Sequence, residues 1–87
     1  MTWNEIRLIH PSAWVIIEAV EAYSRDNRRV LEQAAVIDVF GDDGEGAMRR
    51  YIQLHRAHPE REMYVVNTER LQLDIEERYW TGVRMAP

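Results

Sequence analysis

His55 and His58 stand three positions apart, a spacing that lets two imidazoles point the same way from a helix. Such a pair could take a transition metal, but two ligands leave a tetrahedral site half built. His10 is the only other histidine, and the chain has no cysteine. A helix C-terminal turn, where imidazoles meet the negative end of the dipole, accounts for the pair without a metal. The run Gly41-Asp42-Asp43-Gly44-Glu45-Gly46 gathers carboxylates that could hold a hard cation. A calcium loop of the EF-hand type needs alternating oxygen ligands over about 12 residues and a closing Glu, and this run is too short. It also lacks the glycine offsets and the lysine of a phosphate-binding loop. A tight strand-to-helix connection, with acids at the helix N-terminus, is the simpler reading. No metal ligand set and no cofactor is assigned.

Arg49, Arg50 and Arg56 form the candidate polyanion-binding group. On one helix face they could meet an acidic protein, a nucleic-acid backbone or anionic lipid. A solvated face with local ion pairs, each worth about 0–1 kcal/mol, is the favoured account of them. No aromatic residues are spaced beside them for base stacking. Covalent catalysis has little to work with: Ser12 and Ser24 sit in no nucleophile elbow. Fifteen acidic residues make a chance carboxylate pair unremarkable. A chain of this length is also expected to lack room for a pocket of about 300–1,000 Å³ unless an oligomer builds it. Three tryptophans are many for so small a core. Trp14 lies in an apolar run and reads as core. Trp3, Tyr79 and Trp80 lie among charges toward the two ends and are the candidate interface residues, since Trp and Tyr are enriched in binding hot spots.

These side chains must be positioned by a chain of 87 residues, which predicts one domain over 1–87. Hydrophobic residues make up 46%, enough for a core, and charged residues 30%, enough for a wet exterior. The absence of cysteine favours a reducing compartment. The first residues lack the positive region of a signal peptide, and the apolar run from Ala13 stops at Glu18, far short of the about 20 residues of a membrane span. A cytoplasmic location is expected. The net charge of −4 weighs against nonspecific nucleic-acid binding unless cations cluster. All 11 basic residues are arginine, the cation suited to planar, bidentate ion pairs.

The pattern predicts an α+β fold in the order ββαββ: an antiparallel or mixed four-stranded sheet with one helix packed on one face. Ala13 to Ser24 and Val30 to Phe40, rich in β-branched residues, form a hairpin about the polar turn Arg25–Arg28. A helix capped by Ser12 is the rival for the first run. Glu45 to Ala57 is a helix, with Ala47, Tyr51 and Leu54 on one stripe and Pro59 as its stop. Glu62 to Thr68 is a central strand, apolar on both sides. Leu71, Leu73 and Ile75 alternate with polar residues as an edge strand, against a rival helix over Glu69 to Trp80. Gly82 to Pro87 reads as a loop.

A single helix covers a single sheet face, yet Trp14, Ile16, Val20, Met63 and Val65 supply apolar material for a second one. An uncovered apolar face of more than a few hundred Å² marks a contact surface. The leading expectation is therefore a non-enzymatic protein-interaction module, acting as a homo-oligomer or as a small subunit of a larger complex. A nucleic-acid-associated accessory protein using the arginine face is the alternative. A small metal-dependent hydrolase built on His55, His58 and Asp42-Asp43 is the third.

Overall fold

The computed structural model describes residues 1–76, together with the backbone of 78–80 and 83–85. Helix α1 (Trp3–Ile9) begins the chain. Thr2 is its N-cap, accepting from the Glu5 backbone N–H at 3.2 Å, while the Glu5 carboxylate accepts from the Thr2 N–H at 2.8 Å. This reciprocal capping box satisfies two donors that the first turn would leave unpaired. Strand β1 (Trp14–Arg25) and strand β2 (Arg28–Gly41) then form the long hairpin. Its two-residue turn places Asp26 and Asn27 at φ 50° and 60°. That is the left-handed pair of a type I′ turn, whose twist matches the flanking strands and which Asp and Asn tolerate.

Ser12 caps no helix; it sits at φ 50° in the turn between α1 and β1. Helix α2 (Gly44–Ala57) follows β2, and strand β3 (Met63–Asn67) returns beside β1. Strand β4 is only Ile75–Glu76. The sheet order is β3-β1-β2-β4 with every pair antiparallel. Strands β5 (Arg78–Trp80) and β6 (Val83–Met85) pair as a separate two-stranded sheet, so Val83–Met85 is extended and paired rather than loop. Tyr79, Trp80 and Val83 are residues that favour a pleated backbone.

Strand β1 pairs with β3 residue for residue from Trp14↔Asn67 to Glu18↔Met63. Successive side chains along it therefore alternate cleanly between the two sheet faces. Val15 and Ile17, with Val66 and Ala34, join Trp3 and Ile6 of α1 in one core cluster. On the opposite face Trp14 lies against Gly44 at the start of α2, where an added Cβ would stand 3.0 Å from the indole. Ile16 and Met63 share that face and are buried, as is Ala47 of α2. Two helices thus cover the sheet, one on each face.

This corrects the expected order and the expected single helix. The order is α1 β1 β2 α2 β3 β4, with β5 and β6 beyond, and the second face belongs to α1. Ile16 and Met63 are consequently inside, Trp14 and Val65 are half-buried, and only Val20 of that apolar set stands out in solvent. The expected edge strand over Leu71–Ile75 is also shorter than its alternation implies. Asp74 at φ 48° interrupts the extended run, and only Ile75 and Glu76 pair with β2, opposite Arg29 and Arg28. Leu71 is 74% exposed, whereas Leu73 packs on the core and Ile75 is buried.

Thr68, at the end of β3, ties this architecture together and is the one buried polar side chain among the described residues. Its hydroxyl donates to the His10 carbonyl at 2.6 Å and accepts from the Ala13 N–H at 2.9 Å. Its backbone N–H donates to Ala13 O at 2.8 Å. Arg7 Nε donates to the Thr68 carbonyl at 2.9 Å, and Trp3 Nε1 to the Arg70 carbonyl at 3.0 Å. The turn after α1 is therefore fixed to the turn after β3 at both of its ends.

Candidate functional site

The hairpin is longer than the strands beside it. β3 reaches β1 only over Trp14–Glu18, and β4 reaches β2 only at Arg28 and Arg29. Met1 adds one further bridge to β2, its N–H group and carbonyl bonding Ala34 at 2.9 and 2.7 Å. The distal half of the hairpin projects past β3, and a bulge at Val20 shifts its register. Bulges sharpen the local twist and re-aim side chains. Val20 is 64% exposed and Tyr23 41% exposed on this projecting part.

Two bidentate ion pairs anchor β1 and β2 to β3 and its approach, one from Glu18 at the base of the projection and one from Arg29 near its turn. Arg61 meets Glu18 through Nε at 2.9 Å and Nη2 at 2.6 Å. Arg29 meets Glu62 through Nε at 2.7 Å and Nη2 at 2.8 Å, and Tyr64 Oη donates to the same carboxylate at 2.6 Å. The planar fork that distinguishes arginine from lysine is used in both. The hydrogen-bonded Arg61 guanidinium holds the Glu18 carboxyl below the ordinary glutamate value, and Glu18 in turn raises Arg61.

A cleft of about 340 Å³ opens beside the hairpin, between the first turn of α1, the Arg28–Leu31 stretch of β2 and residues 71–75. It is larger than the chain length led us to expect. Trp3, Leu31 and Leu73 supply apolar wall, and Arg28, Asp74, Asn4 and Gln72 supply polar edge. Arg28 and Asp74 form an ion pair at its mouth. Sequence reasoning missed this site because it overlooked α1. The signal was present as Thr2-Trp3-Asn4-Glu5, whose Thr and Glu three apart spell the capping box.

The residues singled out for chemistry fall elsewhere. Trp3 is buried in the core with its indole N–H engaged. The side chains of Tyr79 and Trp80 lie outside the described residues. Arg49, Arg50 and Arg56 are all exposed on α2. Arg49 and Arg56 stand two turns apart on one side, while Arg50 is about 100° around the helix from Arg49. Arg49 lies 3.9 Å from Glu45, and Arg50 donates to the Gln53 side chain at 3.3 Å.

His55 stacks on Tyr51 with ring centroids 5.8 Å apart, and His58 is the C-cap of α2, 3.8 Å from Glu60. Asp43 is the α2 N-cap, its carboxylate accepting from the Gly46 N–H at 2.9 Å. A Cβ at Gly46 would crowd that carboxylate and force it to shift from its capping position. Among the described residues no three His, Asp or Glu side chains converge as a metal site would require, and no helix is long and apolar enough to cross a membrane.

Comparison with known proteins gives no kinship to draw on: no family model, no curated protein and no solved structure matches the chain.

Proposed function

We propose that this chain is a non-catalytic protein-interaction module, working as a homo-oligomer or as a small subunit of a larger complex. The observation that carries the reading is the hairpin projecting past β3 with Val20 and Tyr23 exposed on it. Natural sheets blunt such projections with charge or cover them, because exposed apolar strand surface recruits another chain. The hairpin tip carries the charged residues, Arg25, Asp26 and Arg28, while the apolar pair sits behind it. A partner seated there buries apolar side chains at the centre and leaves charge at the rim, the usual anatomy of an interface.

This basis differs from the one the sequence suggested. The apolar surplus does not lie on a bare sheet face, since α1 and α2 each cover one. Part of it lies along the hairpin, at Val20, Tyr23 and Val39, and the rest is dispersed over Leu8, Ile9, Met48, Ile52 and Leu71. The nucleic-acid alternative draws less support, because Arg50 is turned away from Arg49 and Arg56 and two of the three already hold local partners.

Sedimentation velocity over a wide micromolar range tests the proposal, with the Val20→Glu/Tyr23→Ser variant run in parallel. The expected result is a concentration-dependent oligomer, or a stoichiometric partner co-purifying from the native host, that is lost in the variant. A chain that is monomeric throughout and brings down the same proteins with and without the two substitutions overturns it.

A further inference from the structure

The cleft beside the hairpin has the features of a small-molecule site. Its volume of about 340 Å³ falls within the range such sites occupy, roughly 300–1,000 Å³. Trp3, Leu31 and Leu73 are tied into the core cluster, so its apolar wall is already in place and a ligand need not order it. The mouth carries Arg28, whose side chain is 48% exposed.

Asp74 meets Arg28 at Nη1, and among the described residues that guanidinium makes no second hydrogen bond or ion pair, although Glu76 stands opposite it in the ladder. A guanidinium carries five donors arranged to take carboxylates two donors at a time. The Nε and Nη2 edge of Arg28 therefore remains for a second anion. Its neighbour Arg29 is the contrast, with Nε and Nη2 both on Glu62. Asp74 partly neutralises Arg28, which disfavours a dianion such as phosphate and suits a single carboxylate.

We infer that this cleft binds a small organic acid with one carboxylate and an apolar body. The carboxylate docks on the open edge of Arg28, and the body lies against Trp3, Leu31 and Leu73. The cleft shares Arg28 with the charged hairpin tip but not Val20 or Tyr23, so its test does not depend on self-association.

Octanoate is the probe, titrated into the full chain and followed by proton–nitrogen correlation NMR, with 1-octanol as its neutral counterpart. Octanoate is expected to move the Trp3 indole N–H and the amides of residues 28–31 and 71–75, and octanol to bind about tenfold more weakly. Arg28→Gln is expected to lower octanoate affinity about tenfold while leaving octanol binding intact, which shows that the cleft still forms. Arg25→Gln removes the same charge at the hairpin tip and is expected to change affinity by less than about twofold. Asn4→Trp, which fills the mouth from α1, is expected to abolish binding of both. No cleft shifts at millimolar octanoate, equal affinity for octanol, or equal losses in the two arginine variants each overturn the inference.

Discussion

Glu18 is the residue at which ionisation and stability meet most directly. It lies on the α2 face of β1, and its carboxylate receives two hydrogen bonds from Arg61. Those bonds favour the charged form, so its folded-state pKa lies below the ordinary value of 4.5. The unfolded chain then binds a proton more readily than the folded one. The stabilisation is present above pH 4.5 and is lost as pH falls through the depressed folded value. Partial exposure screens the pair, so the effect is modest. Glu18→Gln should lower the melting temperature at pH 7, and the gap from the parent chain should close as pH falls from 7 toward 3. A gap that stays constant across that range would show that Glu18 acts by packing and not by charge.

At the scale of elements, α1 has seven residues, too few to persist alone in water. Its capping box and the burial of Trp3 and Ile6 are what hold it. Thr2→Ala removes the cap acceptor and should cost about 1 kcal/mol, measured by urea unfolding with an unchanged slope. Asp43→Ala at the start of α2 should cost a similar amount, with the Gly46 amide losing its hydrogen-exchange protection.

How legible these elements were follows from how each is specified. The hairpin and α2 carry their signals locally: β-branched runs about an Asp-Asn turn, and a stripe at helical spacing after an N-capping Asp. β3 was readable because both of its sides are apolar. α1 was missed because its seven residues hold too few turns for a periodic signal, and the Thr2/Glu5 cap was its only clear mark. The stretch 71–75 was overread because alternation alone cannot see that Asp74 turns left-handed. The cleft was invisible for the same two reasons, being built from α1 and that stretch. The glycine loop was understood in kind, and the structure adds that Gly46 clears space for the capping carboxylate.

For the molecule as a whole, the margin is thin. At roughly 0.05–0.15 kcal/mol per residue, a chain of 87 residues is expected to hold about 4–13 kcal/mol against unfolding. Ile6 is fully buried between α1 and the sheet. Ile6→Ala should cost about 2–5 kcal/mol, a large share of that total. A calorimetric melt of this variant should show either a markedly lower midpoint or no cooperative transition at 37 °C. A loss below about 1 kcal/mol would mean that α1 contributes little and that the sheet stands on α2 alone.

The bonds around Thr68 join segments 55 to 67 positions apart in the chain. Synthesis runs from the N-terminus, so α1 is made well before its anchors. Until residues 66–70 emerge from the ribosome, Trp3 and Ile6 have no complete seat. The nascent hairpin must then wait with one side bare, a waiting period in which a chaperone, or a neighbouring nascent copy, has its best opportunity to engage.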